Sequence, residues 1–196
     1  MLTPGLLRFL AGLCLALVIG WFVFPSLLYE RIEQPLQFSH KVHTGDAAGL
    51  SCADCHDVTP EGRFTGIPPL EKCASCHQST IGTSAPEKLL VDEYVSKNRE
   101  IPWLVYARQP ENVYFSHASH IKLAKIECAH CHGDHGSTDA LRPYERNRIS
   151  GYSRDIWGSS ISRLARRASW DGKKMDDCMD CHEQHNVENT CLKCHK

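Results

Sequence analysis

Residues 115–132 read FSHASHIKLAKIECAHCH. Two histidines three apart, His117 and His120, precede Cys128-Ala-His-Cys131-His132. An earlier stretch follows the same plan: FSHKVH at 38–43, then Cys52-Ala-Asp-Cys55-His56. Residues 44–51 separate the parts in the first copy and 121–127 in the second, so the two spacings differ by one residue. A histidine pair repeated at nearly the same distance from the same cysteine motif indicates an internal repeat.

The motif has a local geometric meaning. On one helical turn, side chains at i and i+3 share a face and i+4 lies beside them. Two cysteines so placed form thioethers with the two vinyl groups of a haem, and the histidine reaches the iron. Of the 11 cysteines, ten form five such units: Cys52/Cys55/His56, Cys73/Cys76/His77, Cys128/Cys131/His132, Cys178/Cys181/His182 and Cys191/Cys194/His195. Zinc sites and redox disulfides also use C-x-x-C, but neither requires a histidine directly after the second cysteine. All five units have one, so five covalently attached haem c groups are expected. Cys14 lies in an apolar segment and reads as a lipid-facing or packing residue.

Five proximal histidines leave His40, His43, His117, His120, His130, His135 and His185 for the opposite face of the irons. In F-S-H-x-x-H the two imidazoles project from one side of a helix and reach two neighbouring irons. His40 and His43 are assigned to the first two haems, and His117 and His120 to two of the last three. His135 or His185 supplies the fifth. His130, inside its own motif, ranks last. Two spare histidines are either surface groups or the two axial ligands of a sixth haem without thioethers. An iron with two imidazoles has no open position for substrate, so it carries electrons. A multihaem nitrite or hydroxylamine reductase needs a five-coordinate haem, which this histidine supply disfavours.

Composition supports the same class. Aromatic residues are 8% and mean hydropathy is −0.35, too polar for a large apolar core, and small domains of this kind need covalent or metal staples. Net charge is −1, without the basic stripe that nucleic acid requires. Phe9 to Leu28 carries no charge and is long enough to cross the hydrocarbon core as a helix. Arg8 before it and Glu30, Arg31 and Glu33 after it place the amino terminus in the cytoplasm and the remainder in the periplasm. The flank PSLLYERIEQ is a poor cleavage site, which favours a retained single-pass anchor in the inner membrane over a cleaved signal peptide.

Three parts are expected: residues 1–35 as transmembrane anchor and linker, 36–100 as a dihaem segment, and 101–196 as a trihaem segment. Residues 84–99 predict a short helix with Leu90, Tyr94 and Leu89 on its apolar stripe. Residues 101–114, rich in aromatic residues and broken by prolines, read as extended backbone. The insertion 136–177 contains DIWGSSISRLARRASW, a basic amphipathic helix that either covers haems or docks on a partner subunit or the membrane surface. The fold class is mostly α and irregular, with little regular secondary structure, haems as the core and one N-terminal transmembrane helix.

Over residues 36–80 and 113–196 the F-S-H-x-x-H…C-x-x-C-H plan resembles the class III multihaem cytochromes. Trp103, Arg108, Pro110 and the run Val113-Tyr114-Phe115-Ser116-His117 are similar to the membrane-attached pentahaem subunits of quinone-linked respiratory complexes. Two such groups are the menaquinone reductase and alternative complex III types. The insertion and the tight C-terminal motif pair favour the first. That resemblance implies an integral quinone-binding subunit, an iron–sulfur subunit and a molybdopterin-like subunit as partners. It also implies soluble periplasmic cytochromes as donors, with electrons running toward menaquinone. The alternative complex III type runs from quinol outward. A small quinol dehydrogenase with one anchor is a third reading, but no quinone pocket is evident in the sequence. The anchor, the fifth motif and the insertion depart from the small soluble cytochromes and argue against a free shuttle.

Overall fold

The computed structural model describes residues 3–61, 63–153 and 173–195. The Thr3 hydroxyl accepts the Leu6 N–H at 3.4 Å, and Pro4, which has no N–H to satisfy, starts helix α1 (Pro4–Val18). A π-helical turn, Ile19–Val23, and α2 (Phe24–Leu28) continue the rod. The helix therefore begins five residues before the uncharged stretch, at Pro4 instead of Phe9. Pro4–Val23 is long and apolar enough to cross a membrane, and none of it is buried by the rest of the chain.

The segment after this rod is more ordered than a linker. Strand β1 (Tyr29–Ile32) pairs antiparallel with β2 (Tyr144–Asn147), which lies in the insertion, in the register Tyr29↔Asn147 to Ile32↔Tyr144. Arg146 and Arg148 flank Glu30, the latter at 3.7 Å. The Gln34 amide then copies a strand contact: it donates to the Leu104 carbonyl at 2.9 Å and accepts the Leu104 N–H at 3.1 Å. Gln37 accepts the Leu141 N–H at 3.0 Å. Residues 29–37 thus join both halves of the chain, because buried backbone groups must find partners.

The histidine and cysteine motifs sit on short helical turns: α3 (His40–Thr44), α4 (Cys52–Cys55), α5 (Leu70–Ala74), α7 (Cys128–His132), α8 (Met175–Gln184) and α9 (Cys191–Cys194). Between the two halves, α6 (Ala85–Leu89) runs into a π-helical segment, Leu90–Val95. Ser84 caps it by accepting the Glu87 N–H at 3.3 Å, and Pro86 lies in its first turn. Leu90 and Tyr94, four apart, are buried, while Leu89 is 41% exposed and belongs to the outer face. Asn98, at φ 45°, ends the helix in a left-handed conformation that asparagine tolerates.

Leu90 and Tyr94 join Leu36, Leu70 and Ile101 in one small cluster, with Cys73, Val95 and Trp103 packed against it. Among the described residues no large side chain is fully buried, and the only strands are β1 and β2. Helical turns and irregular backbone make up most of the rest. The basic amphipathic helix expected at 155–170 lies outside the described residues.

Candidate haem sites

Each cysteine motif is wound as its chemistry requires. The His56 N–H donates to the Cys52 carbonyl at 2.8 Å, His77 to Cys73 at 2.9 Å, and His195 to Cys191 at 2.8 Å. Cys128–His132 and Cys178–His182 lie wholly within α7 and α8. None of the ten motif thiols is in a disulfide. Among the described residues no three His, Cys, Asp or Glu side chains converge on one point, so the four-donor cage of a structural zinc is not built.

The histidines instead face one another in pairs. Ring centroids are 6.1 Å apart for His43 and His77, 6.3 Å for His117 and His132, and 6.1 Å for His120 and His182. Two imidazoles on opposite sides of one metal, each bonded at about 2.0 Å, place their centroids roughly 6.3 Å apart. The spacing therefore fits an iron between each pair. The two members of each F-S-H-x-x-H pair face different partners, as the i, i+3 geometry requires. His40 differs: its ring lies 6.1 Å from that of His135, and neither belongs to a C-x-x-C-H unit. Among the described residues no imidazole stands across from His56 or His195 at this spacing. His130 and His185 are exposed.

A haem ligand needs a neutral imidazole with a free Nε2, and the surroundings of three of these rings favour that state. Burial, then His135, His56 and His43, lowers the His40 pKa to about 4. Burial also lowers His117 and His132. A neutral ring is the form a metal binds. The Nδ1–H of His43 donates to the Ser39 carbonyl at 2.8 Å, His120 to Ser116 at 2.8 Å, and His56 to Gly66 at 3.0 Å. His77 Nδ1 instead meets the Glu87 carboxylate at 3.0 Å. Such bonds fix the tautomer and aim Nε2 at the metal.

The profile of the class III cytochrome c family matches residues 26–101 and again 92–196. The chain belongs to that family. Its double match coincides with the two copies of the histidine plan. Over 207 aligned residues the chain is also 38% identical to the menaquinone reductase, multiheme cytochrome c subunit of Nitratidesulfovibrio vulgaris (strain Hildenborough), covering 98% of this chain and 90% of the relative. Membership implies covalent haem c, and the motif turns and facing imidazoles fit that group.

In this class III cytochrome aromatic rings stack on the histidines of the repeated plan. Phe38 stacks on His43 at 4.3 Å and Phe115 on His120 at 4.7 Å, so the phenylalanine of each plan braces the second histidine. Phe64, which the sequence did not single out, stacks on His117 at 4.1 Å and lies 6.4 Å from His56. A small hairpin positions it: Val58 bridges Phe64, and the Thr65 N–H donates to the Asp57 carbonyl at 2.9 Å. Lys122 ties the hairpin tip to the second copy through the Pro60 carbonyl at 2.8 Å.

Thiols of different motifs also lie close to one another. Burial raises the pKa of each of Cys55, Cys128, Cys131 and Cys178, and a neighbouring motif's thiol adds to the rise. The neighbours are Cys76 for Cys55, Cys52 for Cys128, Cys181 for Cys131, and Cys131 with Cys194 for Cys178. Thiols of the second and first motifs, the first and third, the third and fourth, and the fourth and fifth are therefore close enough to interact.

Proposed function

We propose that this chain is a membrane-anchored periplasmic electron relay. It would pass electrons from soluble periplasmic cytochromes to a quinone-linked respiratory complex of the menaquinone reductase type, without catalysis of its own. The observation that carries the reading is the pairing of imidazoles at 6.1–6.3 Å, each pair of which would hold an iron from both sides, as an electron carrier requires. Haem iron supplies one-electron storage and transfer when bound.

The chain's own residues do the rest. Ten cysteines tether five haems. His56, His77, His132, His182 and His195 bind the irons on one side. His43, His117 and His120 bind the second, third and fourth haems from the other. His40 and His135 hold a sixth haem with no thioethers, joining the two copies. His185 and His130 are exposed and receive no iron. Thiols of neighbouring motifs lie close together, which gives short steps between haems. The uncharged part of the N-terminal helix, from Phe9 onward, crosses the inner membrane with Arg8 on the cytoplasmic side, which keeps the haem segments in the periplasm. The relative's name supports membership of a multi-subunit menaquinone reductase. An integral quinone-binding subunit, an iron–sulfur subunit and a molybdopterin-like subunit are the partners that the family resemblance implies.

Purification from detergent-solubilised membranes tests the complex. Co-elution with those three subunits is expected, and a cytochrome that elutes alone overturns the subunit reading. Intact mass should show five haem additions. Total haem by pyridine haemochrome should exceed the covalent count by one, and equality removes the sixth haem.

A further inference from the structure

Glu87 stands in a built cradle beside the second motif. Its Oε1 accepts from His77 Nδ1 at 3.0 Å and from the Ile81 N–H at 2.7 Å, while Oε2 accepts the Gly82 N–H at 2.9 Å. Its side chain is 11% exposed, and that of His77 is 20% exposed. A Cβ at Gly82 would meet Oε2 at 3.0 Å, so the turn approaches the carboxylate as closely as glycine allows. Ser84 fixes the start of α6 and so the position of Glu87. Two backbone donors hold the oxygens in place, and a third donor, the ligand ring, completes the set.

At three other rings the same position meets a weaker acceptor. Nδ1 of His43, His56 and His120 donates to backbone carbonyls. A carboxylate draws the Nδ1 proton more strongly than a neutral carbonyl does. The ring then gains imidazolate character, donates more strongly through Nε2 and favours the ferric state.

We propose that Glu87 is the positioning residue that makes the haem at Cys73, Cys76 and His77 the most reducing of the five. This rests on the assignment of that motif, with His43, to a bis-histidine haem.

Redox titration of the full-length holoprotein, followed by EPR and absorption, tests this. Glu87→Gln should move one component, the lowest, upward by about tenfold in its reduction equilibrium, which is 59 mV for one electron. Glu93→Gln, which removes a carboxylate of the surface pair with Lys97, should move none. Gly82→Ala keeps the charge but displaces Oε2 and should move the same component less. An unchanged titration in Glu87→Gln, or an equal rise in every component, overturns the proposal. If Glu87→Gln does not accumulate, paramagnetic NMR of the wild-type protein decides. The haem at Cys73 and Cys76 should be the last reduced, and any earlier place overturns the proposal. Peptide mapping of that haem separates the outcomes: its absence defeats the ligand assignment, and its presence with no shift defeats the role of Glu87.

Discussion

The two copies of the histidine plan share a sequence and differ in what their first histidine meets. In the second copy His117 faces His132 of the motif that follows it, and His120 faces His182 further on. In the first copy His43 faces His77, but His40 faces His135, which belongs to the other half of the chain. Backbone contacts enforce the difference. The Lys41 N–H donates to the Thr138 carbonyl at 3.1 Å, and the Thr44 hydroxyl donates to the Gly136 carbonyl at 2.6 Å. Thr138 Oγ1 lies 3.4 Å from His40 Nδ1. Helix α3 is thus docked on residues 135–138, which brings His135 in front of His40. A repeat in sequence sets the shape of each unit, while docking between units decides what its outermost residue touches.

Ligand removal breaks the comparison most strongly. His120→Ala should convert one low-spin haem to high-spin, read by EPR, with five haems still attached by mass. An unchanged spectrum would take His120 off the ligand list. His40→Ala should behave differently from its repeat partner: total haem falls by one while the covalent count stays the same. If it instead produces a high-spin signal at unchanged haem content, His40 serves a tethered haem and the copies are alike.

Packing changes come next. Leu70→Ala removes a side chain that is 4% exposed from the cluster found in the first half, and should cost about 2–5 kcal/mol in denaturant unfolding. Phe64→Ala removes a half-buried ring that links the copies through His117, and should cost about 2 kcal/mol. Were Phe64 only a surface ring, the loss would be a few tenths of a kcal/mol. The smallest effect is expected for Lys88→Ala, which opens an exposed i, i+4 pair with Asp92 and should cost about 0.5 kcal/mol or less.

Much of the site was legible in the chain because its chemistry is local. The helical turns at Cys52, Cys128, Cys178 and Cys191 follow from i, i+3 and i+4 placement, and the apolar run at 9–28 has one physical reading as a long helix. Leu90 and Tyr94 were readable from their spacing, whereas Leu89 was not, since a stripe's edge is set by what packs against it. The strand at Tyr29–Ile32 was hidden because its partner lies more than a hundred residues away. Glu87 left a trace, Ser84 three residues before it in a capping pattern, but a cap and a ligand brace look the same in sequence. Phe64 left no trace, since one aromatic residue in a loop carries no periodicity.

By itself, then, the sequence determined the five C-x-x-C-H turns, their cysteines and an N-terminal helix apolar enough to cross a membrane, because each of these is written within a few consecutive residues. Tertiary structure alone decided which imidazole faces which, which motifs neighbour one another, and the carboxylate behind His77. Those relations join residues from separate helical turns, and no periodicity within a turn carries the distance between two turns.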